Sequence, residues 1–585
     1  MKTTFYKKHE NCILALGVVL LNVVIMAVCF DFYYDLNDDT LMKDIMAGIY
    51  SQTPEGRNMQ TLYILGAVIG LGYRLCGEIP WYGLFLCLCQ SGCFFLVGKR
   101  LAGFFEKLSG KLAALAGLSL LQWGVMLPHL VNIQYTITCA ILSATAIFLF
   151  LTTEENLTTA QFLRKNIPSI VLVVLAYQLR TEMLLLTLPF VGLAGLCRWS
   201  FEKPVFTRQN WQKYGIVIGV ILAGMLLSRC LDSWAYGSES WKDFRQYFDA
   251  RTTVYDFYPE VITQDSYGAD LEELGITPQQ QTLLRNYNFG LDDKIDTQLL
   301  TRVADYATET VGAARDWKAI FRQQLWCYGY RTFHREDAPY NLLVLLAYAL
   351  LVYLGIRRRP ALLWQTVLLA TGRSLIWMYI LMRGRDPERI THSLYLVEFA
   401  LQSALVCMTL QKERAKDGIL RGFETLFLLV LCLSVGKGNQ ITTVRQNQAW
   451  REQTNCNRSD IDSYCKEHKE NYYLEDVYST VSFSERIFDG NGAEFTNYDM
   501  LGGWICKSPL YEQKLAAYGI TSVAEALIQK DNVLLIMSNV EAAEQGFDWL
   551  TAYYAAENIP VSVEREDVIN ENYSVYRIVS QNGKK

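Results

Sequence analysis

The feature that most constrains this chain is the return, up to residue 436, of long stretches almost free of charge. Most of these runs hold about 16 to 22 apolar residues, and a helix of about 20 such residues is what a hydrocarbon core about 30 Å thick requires. Of the 585 residues, 51% are hydrophobic, 39 more are Gly and only 19% are charged, which disfavours a soluble enzyme. Eleven spans are predicted, over 12–30, 81–97, 112–130, 131–152, 167–179, 183–197, 214–231, 340–356, 361–382, 390–410 and 418–436. The first follows Lys2, Lys7 and Lys8 and is too long for a signal-peptide core, so it is read as a retained span. A net charge of −5 offers no basic surface for a polyanion, so no nucleic-acid partner is expected. Of the 15 Cys, only Cys456, Cys465 and Cys506 lie in the polar tail, and no disulfide framework or zinc spacing is visible.

Charge sets the expected orientation. The apolar run 61–76 is placed at the outer interface, because counting it as a span would carry Lys99, Arg100, Lys107 and Lys111 outside. With a turn at Arg180 and Glu182, every basic loop, twenty Lys and Arg in all, becomes cytoplasmic. The expected protein is therefore a multi-pass cell-membrane protein with a cytoplasmic N-terminus and an extracytoplasmic C-terminal domain. The runs 167–179 and 183–197 are short, and are read as a thinned or tilted pair or a re-entrant hairpin. Residues 1–436 form the transmembrane unit, with an acidic outer loop at 31–80 and a large outer loop at 232–339. Residues 437–585 read as a small α/β domain that folds separately. Helical stretches near 441–468, 511–530 and 541–557 alternate there with strands at NYYLEDV, DNVLLIMS, PVSVE and YSVYRIV.

Four groups of residues are candidates for chemistry. DFYYDLNDDTLMKD follows the first span and holds Asp31, Asp35, Asp38, Asp39 and Asp44. It is either a wet acidic loop or a site in which Asp38 and Asp39 supply a general base and a second carboxylate, the latter orienting the base or holding a divalent cation such as Mg or Mn. In MRGRDPERITHSL, Arg383, Arg385 and Arg389 stand on the face where positive charge is disfavoured. Guanidinium forks suit a phosphate, the alternative being pairing with Asp386 and Glu388. Arg373 lies inside a span, where it lines a polar path or pairs with Glu398. Arg180 with Glu182 is a salt bridge or part of a site. Asn132, Gln134, Tyr135 and Thr136 are expected to make interhelical hydrogen bonds. The aromatic run ESWKDFRQYFDARTTVYDFYPE suits a sugar surface or a helix lying on a membrane. The five His show no pair at metal-ligand spacing, and no Gly-rich phosphate loop or nucleophile elbow is present.

With these residues in view, the chain resembles the GT-C superfamily of multi-span glycosyltransferases that use polyprenyl-phosphate sugars, and looks like its Gram-positive bacterial members. The resemblance covers the first span, the acidic loop with Asp38 and Asp39, an interfacial helix, the following spans and an extracytoplasmic tail. It implies a first-loop acid as catalytic base, Asp38 or Asp39, and outer Arg residues on the lipid phosphate, matched here by Arg383, Arg385 and Arg389, with Arg373 and Arg180 as further candidates. It also implies a polyprenyl-phosphate-linked sugar donor, a cell-envelope glycan or lipid acceptor and an inverting transfer. Where many members carry a His-Pro-Pro element, this chain has Thr53-Pro54-Glu55-Gly56-Arg57-Asn58, which departs from the mannosyltransferase pattern. The rival readings are a flippase or transporter of a lipid-linked saccharide, and a non-catalytic scaffold for envelope assembly.

Overall fold

The computed structural model describes residues 2–334, 337–411, 439–489 and 494–581. The span expected at 418–436 lies outside the described residues. Helix α1 (Lys2–Cys29) leads to a two-residue strand β1 (Tyr33–Tyr34), then to α2 (Asn37–Ala47), α3 (Tyr63–Leu75) and α4 (Trp81–Ala102). Next come α5 (Leu108–Leu121), a π-turn at Gln122–Met126, α6 (Leu127–Val131), β2 (Asn132–Ile133) and α7 (Tyr135–Leu151). Helices α8 (Thr159–Leu179), α9 (Thr181–Trp199) and α10 (Arg208–Ala235) follow. The large loop contains α11 (Glu239–Thr252) and α12 (Trp317–Phe333), with shorter helices between them. The bundle resumes with α13 (Tyr340–Arg357), α14 (Ala361–Met382) and α15 (Glu388–Gln411), and the tail begins with α16 (Asn439–Glu467).

Among the described residues, eight helical stretches are long and apolar enough to cross a membrane. Two further expected spans differ from these eight. Helix α7 has only 17 residues, all buried but Phe150, and is enclosed by α4, α8, α9 and α15. Helix α14 is long enough but more polar, with Gln365, Arg373 and Ser374 along it. The two short runs are completed by flanking residues: a capping box between Thr158 and Gln161 starts α8 well before the apolar run, giving 21 residues, and α9 has 19. No re-entrant hairpin is needed. The break between them is the extended backbone of Arg180, at φ −152° and ψ 96°. The 13 residues of α3 rise only about 20 Å, too little to cross the hydrocarbon core.

The helix ends sort into two sets. At one end the basic loops tie to one another: Lys111 pairs with Glu10 at 2.6 Å, Arg100 donates to the Thr152 carbonyl, Arg198 and Lys213 both pair with Glu202, and Arg359 stacks on Phe201. At the other end lie 31–80, 232–339 and the tail. There Leu62 N–H donates to the Gln178 carbonyl, Tyr63 N–H to Asp232, and Asn288 to Asp476 at 2.7 Å.

Polar groups inside the bundle are answered locally, as a low-dielectric setting requires. Asn22 donates to Gln122 and Ser119 and accepts from Trp123. Arg373 pairs with Glu398 at 2.5 Å, and Tyr348 also donates to that carboxylate.

The tail carries a five-stranded sheet, ordered β4-β3-β5-β7-β6, from β3 (Tyr472–Glu475), β4 (Tyr498–Met500), β5 (Val533–Ser538), β6 (Val561–Val568) and β7 (Tyr573–Ser580). Strand β3 pairs in parallel with β4 and β5, while β7 runs antiparallel to β5 and β6. Four strands match the expected ones, and β4 is an addition. The stretch expected as one helix at 511–530 is two, Pro509–Ala517 and Val523–Gln529. The tail shares one apolar core with the first loop and the large loop. A Cβ on Gly83 of α4 would lie 2.1 Å from Ile487 of the tail, so the contact there is made against bare backbone.

Two outcomes follow from this packing. In a cysteine-free background, single Cys at residues 103 and 206 should be labelled from one side of a sealed vesicle, and Cys at 264 and 545 from the other; labelling of 103 and 264 from the same side would contradict the arrangement. Glu398→Ala, which strands Arg373, should lower unfolding stability by about 3–5 kcal/mol, and adding Arg373→Leu should restore much of the loss in detergent melts.

Candidate functional site

The site begins at a short bridge. Tyr33 and Tyr34 pair in parallel with Asn132 and Ile133, and Asp35 N–H continues the ladder to the Ile133 carbonyl at 2.9 Å. The chain then turns into α2 at Leu36, which places Asp38 and Asp39 in the first helical turn, where carboxylates complement the helix dipole. Helix α2 stops at Gly48, whose φ of +81° and contact with Pro54 leave no room for a side chain.

Consecutive residues on a helix project about 100° apart, and the two acids accordingly part company. Asp39 is fully buried and accepts a 2.7 Å hydrogen bond from the Tyr82 hydroxyl at the start of α4. Burial pushes its carboxyl well above the ordinary carboxylate range; the Tyr82 hydrogen bond opposes the shift, while Asp38 and Asp35 add to it. Its second oxygen has no hydrogen-bond partner among the described residues, an arrangement that suits a neutral carboxyl better than a charged one. Asp38 faces the other way, accepts from the Trp504 indole at 3.1 Å, and lines a polar cavity of about 630 Å³ between the first loop, the large loop and the tail. The two carboxylates therefore have different hydrogen-bond partners.

The cavity wall mixes rings with charged groups. Tyr50, Tyr287, Tyr498 and Trp504 contribute rings, and Arg251, Arg458 and Lys514 contribute cations. Arg458 is held by Glu475 at 2.8 Å and by Asp462. Burial raises the Glu475 carboxyl, and Arg458 opposes that shift. Tyr50 donates to Asp499 at 2.7 Å, and Asp499 lies 3.6 Å from Lys514. Burial lowers the Lys514 ammonium, and Asp499 opposes the shift. Arg251 sits beside the Tyr255 and Tyr287 rings, and its Nε is buried without a hydrogen-bond partner among the described residues. Helix α11 buries Trp241, Phe244, Tyr247 and Ala250 inside the protein, so the aromatic run packs as core and sends Arg251 to the cavity.

The five candidate arginines occupy three places. Arg180 donates to the Tyr135 hydroxyl at 2.5 Å and to the Gln60 side chain, and pairs with Glu182 at 3.2 Å. Tyr135 lies within electrostatic reach of Arg180, Asp38, Asp39 and Arg389 together, and Arg180 within reach of Asp38. Arg383 lies over Tyr379 and Phe257, and Arg385 pairs with Asp256 at 3.2 Å and lies within electrostatic reach of the cavity ring Tyr287. Arg373 stays in the bundle with Glu398, Tyr328 and Tyr395. Gln134 caps its own helix, accepting from the Thr136 and Ile137 N–H groups, instead of bridging helices.

Sequence reasoning missed Tyr82, Trp504 and the role of Tyr135, and it missed one pairing outright. His129 and His392, far apart in sequence, meet with Nε2 and Nδ1 2.9 Å apart, and a Glu388 oxygen lies 3.4 Å from the same His392 nitrogen. No local spacing signals such a contact.

The Asp39 geometry has a consequence for stability. An unfolded Asp titrates near about 3.9, and the folded protein holds this proton more tightly. The stabilising contribution is fully present below the unfolded pKa and is lost as pH rises through the folded one. Asp39→Asn should therefore melt progressively above the parent protein as pH is raised through the neutral range, with the two converging in acid. Parallel melting profiles across that range would contradict a buried, neutral Asp39.

Compared with known proteins, the sequence matches no family model and no curated protein. Among solved structures, the fold is similar to ArnT from Cupriavidus metallidurans bound to undecaprenyl phosphate, at a TM-score of 0.39 and 12% identity, covering 96% of this chain and 97% of that one. It is also similar to the apo state of the same protein, at a TM-score of 0.38 and 10% identity over the same shares. The likeness runs along nearly the whole length of both chains.

Proposed function

We propose that this chain is an integral-membrane glycosyltransferase that moves a sugar from a polyprenyl-phosphate donor to a cell-envelope glycan or lipid acceptor. The reaction is assigned to the extracytoplasmic face, since the opposite end carries the basic loops. One observation carries the reading: Asp38 lines the polar cavity, and the guanidinium of Arg180, from a separate element at the same end of the bundle, bonds the Tyr135 hydroxyl.

The acceptor occupies the ring-lined cavity and gives its hydroxyl proton to Asp38. Its oxygen then forms the new bond to the anomeric carbon as the bond from that carbon to the lipid-phosphate oxygen breaks, which inverts the centre. Negative charge develops on the leaving phosphate, and Arg180 and Arg389 are positioned to stabilise it there. Among the described residues the Arg389 guanidinium has no carboxylate partner, whereas Arg385 has Asp256. Asp39 supports the turn through Tyr82. The mid-bundle charge a transport path would use, Arg373, is neutralised by Glu398.

The assay is transfer of labelled sugar from a polyprenyl phosphate in proteoliposomes. Asp38→Asn should lower turnover by roughly 10²- to 10⁴-fold with donor binding largely intact. Arg389→Ala should weaken both donor binding and turnover, Arg389→Lys should recover only part of the loss, and Arg385→Ala should have the smaller effect. Undiminished turnover in Asp38→Asn removes the mechanism, and movement of a lipid-linked sugar across the bilayer without transfer replaces the enzyme with a flippase.

A further inference from the structure

The imidazoles of His129 and His392 and the carboxylate of Glu388 meet where α6 comes against the start of α15. We infer that His129 Nε2, His392 Nδ1 and a Glu388 oxygen form a site for one first-row transition cation, best matched by Zn(II). The two nitrogens are 2.9 Å apart and the Glu388 oxygen is 3.4 Å from the second nitrogen, all three ligand atoms lying within 4.8 Å of one another. Bonds of about 2.0–2.1 Å to a tetrahedral cation set its ligands about 3.4 Å apart, so the two nitrogens need to part by about 0.5 Å, and the Glu388 oxygen, within 4.8 Å of His129 Nε2, adjusts to meet the same cation.

The surroundings hold the two imidazoles in place, while Glu388 is exposed. The Tyr340 ring stacks on His392 at 4.3 Å and 23°, and the Tyr340 hydroxyl donates to the Val125 carbonyl of the π-turn. That π-turn lies just before His129 and resets the helix register, so the last turn of α6 points its imidazole at α15. His392 is buried and His129 is partly open. Three protein ligands leave a fourth position for water or an anion. Two imidazoles with one carboxylate select Zn(II) and its neighbours over Mg(II), which prefers oxygen ligands in an octahedron. The tautomer required puts the remaining His392 proton on Nε2, which has no hydrogen-bond partner among the described residues. Three metal bonds outweigh that one unmade hydrogen bond.

The proposed ligands include neither Asp38 nor Asp39, so the inference stands or falls without the transferase reading. Bound metal would clamp the segment leading to Tyr135 against the helix start that bears Arg389, and so hold the two fixed relative to each other.

The test uses the full chain in detergent, stripped with a chelator, dialysed and reloaded with Zn(II) or Co(II) alone. Elemental analysis should find about one Zn per chain in the parent protein and in Asp38→Asn, and a loss of at least tenfold in His129→Ala and in the double variant His129→Ala, His392→Ala. Reloading the unmutated protein with Co(II) should give the visible bands of a four-coordinate nitrogen and oxygen site, displaced by Zn(II), a readout that needs no variant to fold. Equal metal content in the parent and the His variants, or absence of the Co(II) bands from the unmutated protein, overturns the site.

Discussion

The end of the bundle that carries the tail depends on a bridge of two residues. Tyr33 and Tyr34 lie in parallel beside Asn132 and Ile133, and this contact joins the exit of the first helix to the entrance of the most buried one. Its backbone bonds fix where α2 begins, and thereby the direction in which Asp38 and Asp39 point. Tyr135 stands two residues beyond it. The tail closes over the same strand: Arg451 reaches the Tyr34 carbonyl and Asp35, Ser484 donates to Tyr34, and Tyr34 N–H donates to the Glu485 carbonyl. Buried backbone groups must find partners somewhere, and here they find them across segments far apart in the chain.

The same requirement governs charge. Within the bundle Arg373 is matched by Glu398, and at the basic end Arg198 and Lys213 share Glu202. At the end that carries the tail the matching is incomplete. Arg251 and Arg389 have no carboxylate partner among the described residues, and Arg251 lines the polar cavity. Cations left without partners beside a ring-lined cavity are what recognition of an anionic or sugar-bearing ligand requires, whereas a purely structural surface gains little from them.

Much of the architecture was legible because hydrophobic runs report helices directly. The errors there were local: 167–179 looked too short because the charged turn holding Arg164 and Lys165 belongs to the same helix, started by the Thr158 capping box. The candidate site was only partly legible. Asp38 and Asp39 are adjacent in sequence and read as a unit, yet the helical period sends one to the cavity and the other to Tyr82. Arg383, Arg385 and Arg389 also read as a cluster, but a turn at Gly384 and the start of α15 separate them between Asp256 and the surroundings of Tyr135.

What the sequence determined alone was most of the long apolar helices among the described residues, the sharing of one end by the basic loops and the strand and helix alternation of most of the tail. Those properties depend on local composition and on transfer between water and hydrocarbon. Tertiary structure alone decided that His129 meets His392, that Trp504 caps Asp38 and that Asp39 is sealed behind Tyr82. Each of these contacts joins residues distant in sequence, and their chemistry comes from burial and distance, which no short stretch of chain encodes by itself.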